Sequence, residues 1–217
     1  MIAAKKSLKH WVGVWIVVSA VLLGGCADSS NEQSPQATPP KVALIMKSLA
    51  NEFFVNMQRA AEAHQAQQPE VYTLVANGIK NESDLAQQVA LVDQMIARGV
   101  EAIVIAPADS RALVPALVRA LQAGIHVVNI DNRLAAEVLA EYDAQIPYIG
   151  PSNREGARLV ADYVLAKHEP ASEVFILEGI LTAANAKQRK AGFADAIAAA
   201  GMTLVDSQSA AWDQTQA

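Results

Sequence analysis

AIVIAPADSRALVPALVRALQAGIHVVNI, residues 102–130, decides the fold. It opens on the apolar run AIVIA (102–106) and closes on IHVVNI (125–130), both rich in β-branched residues and too short for a buried helix. Between them, Ser110 to Ala123 reads as a helix closed by Gly124, a residue at which helices commonly stop. Pro115 fits that helix only if it starts late, so that the ring falls in its first turn. Two short apolar strands separated by a helical crossover form a parallel pair, since parallel neighbours need a connection of a dozen residues or more.

The same rhythm extends in both directions. Upstream, VALIM (42–46) is a strand, and Asn51 to Gln67 is a helix with Phe54, Val55, Met57, Ala60 and Ala61 on a broad face. VYTLVA (71–76) is the next strand. Asn81 or Ser83 then caps a helix whose apolar stripe is Leu85, Val89, Val92 and Ile96, ending at Gly99. Downstream, a less regular stretch runs to Gln145, followed by the strand IPYIG (146–150) and a helix from Asn153 to Lys167. EVFILE (173–178), a helix from Ala184 to Ala200 and the strand MTLVD (202–206) complete the series. Strand starts recur roughly every 22 to 31 residues, the spacing of βαβ units. The expected fold class is α/β, with parallel sheets flanked by helices.

Composition agrees and excludes several function classes. A chain of 217 residues with 52% hydrophobic and 18% charged residues buries too much to be disordered. Its net charge of −5, with no basic patch, argues against nucleic-acid binding. His10, His64, His126 and His168 show no metal-ligand spacing, and the single cysteine, Cys26, excludes a disulfide framework or a multi-cysteine metal site. No nucleophile elbow, Walker loop or dinucleotide fingerprint occurs, and no carboxylate pair is placed for acid–base work, so no enzyme and no cofactor is expected.

The amino-terminal segment, residues 1–25, reads as an address. Lys5, Lys6 and Lys9 precede an apolar run from Trp11 to Leu23. As a helix that run spans about 20 Å, short of the ~30 Å hydrocarbon core, which points to a signal peptide rather than a membrane span. Leu23-Gly24-Gly25-Cys26 resembles the lipobox of bacterial lipoproteins, in which the cysteine is lipidated and becomes the mature amino terminus. Residues 26–40, short polar residues and prolines after the cysteine, read as a lipidated, disordered tether. The folded body is expected in the periplasm or cell envelope, anchored to a membrane through lipid on Cys26.

In open parallel sheets ligands bind at the carboxyl ends of strands. The segments at those ends are Ser48 to Phe54, Pro107 to Ser110, Asp131 to Arg133, Gly179 to Arg189, and Trp212 with Asp213. They combine flat apolar faces (Phe53, Phe54, Trp212) with paired donors and acceptors (Asn51, Asp131, Asn132, Arg133, Arg189). A sugar requires both, because its hydroxyls donate and accept while its C–H groups form an apolar patch.

These segments resemble the type I periplasmic sugar-binding proteins of the ribose and allose group. The matching residues are Ser48-Leu49-Ala50-Asn51-Glu52-Phe53-Phe54, Val128-Asn129-Ile130-Asp131-Asn132, Ser152-Asn153, Leu177-Glu178-Gly179-Ile180, Gln188-Arg189-Lys190-Ala191-Gly192-Phe193 and Ala211-Trp212-Asp213. The resemblance implies a two-lobed fold, with a first lobe at 41–150 and a second at 151–217 that is incomplete, since family members continue further. The carboxyl terminus, with no helix to cover the last strand, leads to the same expectation of a truncated chain with impaired binding. Asn51, Phe53, Phe54, Asp131, Asn132, Arg133, Arg189 and Trp212 are the implied ligand-binding residues, with Asp131 gripping two hydroxyls. Ribose binders place an arginine directly after that aspartate, whereas this chain has Asn132 and then Arg133, which leaves ribose itself open. The implied function is capture of a monosaccharide, as a monomer, for delivery to an ABC permease. The alternative is a sensor presenting a bound sugar or signal molecule to a membrane kinase or chemoreceptor. A transcription regulator of the same fold would carry a DNA-binding helix-turn-helix where this chain has its signal.

Overall fold

A computed structural model describes residues 38–217; the signal peptide, Cys26 and most of the tether lie outside the described residues. Among those described, the first sheet is built from β1 (Lys41–Ser48), β2 (Thr73–Ile79), β3 (Ala102–Ile105), β4 (His126–Ile130) and β5 (Tyr148–Ile149). Its order is β2-β1-β3-β4-β5 and every pairing is parallel. The crossovers carry α1 (Glu52–Gln67), α2 (Leu85–Ala97), α3 (Val114–Gln122) and α4 (Ala136–Glu141). A second sheet pairs β6 (Glu173–Glu178) with β7 (Thr203–Ser209), with α5 (Asn153–Leu165) and α6 (Ala184–Ala199) against it.

The apolar runs are continuous because β1 is covered on both faces. Alternate residues point to opposite sides. Ala43 and Ile45 meet Met95, Leu117 and Val127 on one side, while Leu44 and Met46 meet Phe54 and Ala106 on the other. At the carboxyl ends of β1 and β3 the fully buried Gln88 ties the layers together. Its amide donates to Met46 O and Ala106 O, and its oxygen accepts from Ala108 N. Since β1 lies between β2 and β3, the strand order reverses there, and a crevice opens at its carboxyl end.

Element edges differ from the sequence reading where tertiary contacts intervene. α2 is capped by Asp84, whose Oδ1 accepts from Gln87 N, because Asn81 spends its side chain on Ser83 in a local turn. β2 runs later than 71–76 because its register with β1 starts at Thr73, leaving Val71 exposed. The stretch before Gln145 contains the short helix α4, held by burial of Leu134 and Val138 rather than by any cap. α3 starts late, with Pro115 in its first turn.

The second sheet buries Ile176 against Ala161, Leu165, Ala196 and Ile197, while Phe175 and Leu177 alternate to its outer face and are about half exposed. α5 and α6 cross closely at Gly192, where a Cβ would run into the backbone of Arg154. Gly192→Ala is therefore expected to lower stability by roughly 1–3 kcal/mol through overpacking, despite alanine's better helix propensity. Urea denaturation checks this, and a stabilised variant would show that the helices have room to separate.

Candidate functional site

The carboxyl end of β1 introduces a charge into an apolar layer. Lys47 is 1% exposed, with Nζ lying 3.5 Å from Glu82 Oε2 and 3.9 Å from Asp131 Oδ2. The same ammonium lies 4.4 Å from the ring centre of Trp212 and 5.6 Å from that of Phe54, within reach of both π faces. The chain then turns into α1 through Asn51, whose Oδ1 accepts from Phe53 N and whose Nδ2 donates to Glu82 Oε1 at 3.1 Å. Phe53 and Phe54 meet edge to face at 5.1 Å. Phe54 is buried against β1, and Phe53 is largely exposed at the crevice rim.

After β4 the backbone turns through Asp131 at φ 58°, a left-handed conformation that aspartate adopts more readily than most residues. The turn sends the Asp131 carboxylate toward Lys47 and the Asn132 amide the opposite way, into the protein. Burial pushes the Asp131 carboxyl above its ordinary range; Lys47 and Arg189 draw it partly back, and Glu82 adds to the rise.

Asn132 is fully buried and is not a wall of the crevice, a correction to its assignment as a ligand-binding residue. Its Nδ2 donates to Pro107 O, and its Oδ1 accepts from Ser110 Oγ and from Asn185 N. Ser110 Oγ in turn accepts from Ala184 N at 2.9 Å. α6 has no side-chain cap from its own flank, so these two groups, carried on the first sheet, satisfy its leading N–H groups. This cap seats Asn185, which donates to Asp131 Oδ2 at 3.5 Å, and Arg189 one turn further on, which donates through Nε to Asn153 Oδ1.

Arg133 also departs from its expected place. Its guanidinium stacks over Tyr148 at 4.0 Å and lines a shallow depression of about 740 Å³ beside α4, outside the crevice. Trp212, at φ 56°, lies close over Gly179, where any Cβ would collide with the indole.

The outcome is a cavity of about 350 Å³ lined by Lys47, Asn51, Phe53, Phe54, Glu82, Asp131, Asn185, Arg189 and Trp212. That volume is in the range of small-molecule sites. Six of the eight residues singled out from sequence meet here; Asn132 and Arg133 do not. Lys47, Glu82 and Asn185 were missed. Lys47 carried a signal, a lysine ending an apolar strand, whereas nothing local distinguishes Glu82 or Asn185. Among the described residues, no cluster of three or more His, Cys, Asp or Glu is placed to hold a metal ion.

Comparison with known proteins places the chain in a family. Residues 42–217 match the family described as periplasmic binding protein domain. The D-ribose/D-allose-binding protein of Pseudomonas aeruginosa is 48% identical over 202 residues, covering 91% of this chain and 63% of that protein. Among solved structures, a solute binding protein of an ABC transporter from Burkholderia multivorans superposes with a TM-score of 0.82 at 50% identity, covering 83% of this chain and 64% of that one. A periplasmic solute binding protein from Actinobacillus succinogenes 130z with bound D-allose gives 0.74 at 36% identity, covering 82% and 61%. The chain thus spans somewhat under two thirds of the length of these relatives.

Two predictions follow from the geometry. Asn132→Ala removes one of the two acceptors that cap α6 and leaves Pro107 O buried without a donor, at a cost of roughly 1–3 kcal/mol, whereas Arg133→Ala loses an exposed stacking contact worth about 0.5–1 kcal/mol. Urea denaturation ranks the two, and equal costs would contradict the inward placement of Asn132. Because the fold holds the Asp131 carboxyl above its unfolded range, its charged form lowers stability at neutral pH, an effect that disappears as falling pH neutralises the group. Asp131→Asn is expected to raise the thermal midpoint at pH 7, since it removes the charged form that burial disfavours. The two midpoints should converge as pH falls through the raised value, and a lowered midpoint at neutral pH would contradict the assignment.

Proposed function

The chain belongs to the periplasmic binding protein domain family, and from that premise we propose that it binds a monosaccharide in the crevice at the carboxyl ends of its strands, as part of an ABC sugar-import system. The observation that carries this reading is the convergence of Asp131, Lys47 and Arg189 with the rings of Phe53 and Trp212 on one cavity of about 350 Å³. Charged groups of both signs suit hydroxyls, which donate and accept at once. Aromatic faces suit the C–H side of a pyranose or furanose ring. The D-allose bound to the Actinobacillus succinogenes relative and the sugars named for the Pseudomonas aeruginosa relative support the same ligand class.

In this reading Asp131 accepts from two neighbouring hydroxyls, and Arg189, oriented by Asn153, donates from the opposite wall. Asn51 contributes what remains of its amide after capping α1 and holding Glu82. Trp212 and Phe53 cover the ring. Binding favours closure of the crevice only by the difference in sugar contacts between its open and closed forms. The protein acts as a monomeric carrier with no catalytic step, in the periplasm, and hands its sugar to a membrane permease. The lipobox cysteine Cys26 tethers it to a membrane, a reading that rests on sequence alone.

Calorimetric titration of the full chain with D-ribose, D-allose, D-arabinose and D-fucose tests the proposal, with saturable heat from at least one sugar as the expected result. Arg189→Ala is expected to weaken that binding about 10- to 100-fold, the range for a hydrogen bond to a charged group. In a form cleaved before Cys26, Trp212 is the only tryptophan, and its emission should shift with the same midpoint. No heat from any sugar at millimolar concentration would overturn the assignment.

A further inference from the structure

Glu82 holds Asn51 at the start of α1 through Oε1, but the geometry gives its Oε2 no role in holding the fold. Its side chain is 12% exposed, and its Oε2 is buried without a hydrogen-bond partner among the described residues. Oε1 is occupied by Asn51 Nδ2 at 3.1 Å. Lys47 Nζ faces Oε2 at 3.5 Å, longer than the roughly 2.7–2.9 Å of a charge-assisted hydrogen bond. The same ammonium stands 3.9 Å from Asp131, so it is shared between two carboxylates and closes on neither. A buried ion pair offsets its desolvation only with good geometry and further hydrogen bonds, and this pair has neither. All three groups line the cavity.

A hydroxyl bridging Nζ and Oε2 from the cavity side supplies what each lacks. It accepts from the ammonium, which has only donors, and donates to the carboxylate, which has only acceptors. An amine could not accept from Lys47 in its charged form, and a carboxylate could not donate to Glu82. A C–H group would leave both polar atoms buried and unpaired. We propose that Glu82, acting with Lys47, is a specificity-determining pair that reads a single hydroxyl of the bound sugar and rejects analogues lacking it. This rests on the sugar-site reading above and goes beyond it by assigning a separate hydroxyl from those at Asp131 and Arg189. Asn51 is a positioning residue for the pair: by capping α1 it fixes the amide that turns Oε2 toward Lys47.

The mechanism makes discrimination, rather than affinity in general, the readout. A site that hydrogen-bonds a hydroxyl rejects the analogue without it because its own polar groups are then stranded. The probes are D-allose and its monodeoxy analogues, titrated against the full chain, Glu82→Gln and the double variant Lys47→Met/Glu82→Gln. The parent chain is expected to disfavour one particular deoxy analogue by about 10- to 100-fold, the range for a hydrogen bond to a charged group. In Glu82→Gln, D-allose should weaken by a comparable factor while that one analogue keeps its affinity within about twofold. The double variant removes both charges of the pair together and leaves Arg189 as the countercharge of Asp131; the same loss of discrimination is expected. A uniform weakening across all the sugars, or an unchanged preference in both variants, overturns the proposal and leaves the sugar site standing. Absence of binding to any monosaccharide by the parent chain overturns the sugar reading and this inference with it.

Discussion

Parallel strands joined by helical crossovers all deliver their carboxyl ends to one edge of the sheet, and in this chain that edge gathers the reactive polarity of the molecule. Lys47 leaves β1 there, Glu82 follows β2, Asp131 follows β4, and Asn185 and Arg189 start the helix after β6. Apart from Asn185 and Arg189, which are one helical turn apart, none of these residues is near another in sequence. The first three meet because every strand of the first sheet is handed back to the same side, with β1 placed where the strand order reverses, and α6 of the second sheet is brought there by its cap on Ser110 and Asn132.

The edge is polar at a cost to the fold. An ammonium is buried with two carboxylates at longer than ideal range, one carboxylate oxygen has no hydrogen-bond partner among the described residues, and burial pushes the Asp131 carboxyl above its ordinary range on left-handed backbone. Unsatisfied groups of this kind persist where something outside the chain completes them. A polyhydroxylated ring is chemically suited to do so, because each hydroxyl settles a donor and an acceptor in one position.

The two sheets are coupled through a helix terminus. The leading N–H groups of α6 find their acceptors in Ser110 and Asn132 on the first sheet. The residues that α6 contributes to the cavity are thereby positioned from the opposite wall. This couples the dimensions of the crevice to a buried network of neutral groups, in which each member is satisfied by another.

Much of this was legible in the chain. The alternation of short β-branched runs with helical stretches was enough for the α/β class, because burial on both faces leaves its mark in the central strands of the first sheet. Pro115 located the late start of α3, and the aromatic and charged residues at strand ends included Asn51, Phe53, Phe54, Asp131, Arg189 and Trp212, all of which line the cavity. What local pattern could not carry was direction and distance. Asp131 and Asn132 are adjacent and chemically alike, yet one backbone angle sends the first into the cavity and the second into the core. Arg133 was drawn aside by Tyr148, and Glu82 gained meaning only from Lys47, thirty-five residues away on a neighbouring strand. Strand and helix periodicity arises from neighbours along the chain and can be read there; which side chains share a cavity depends on turns and register, and those are settled only when the layers pack.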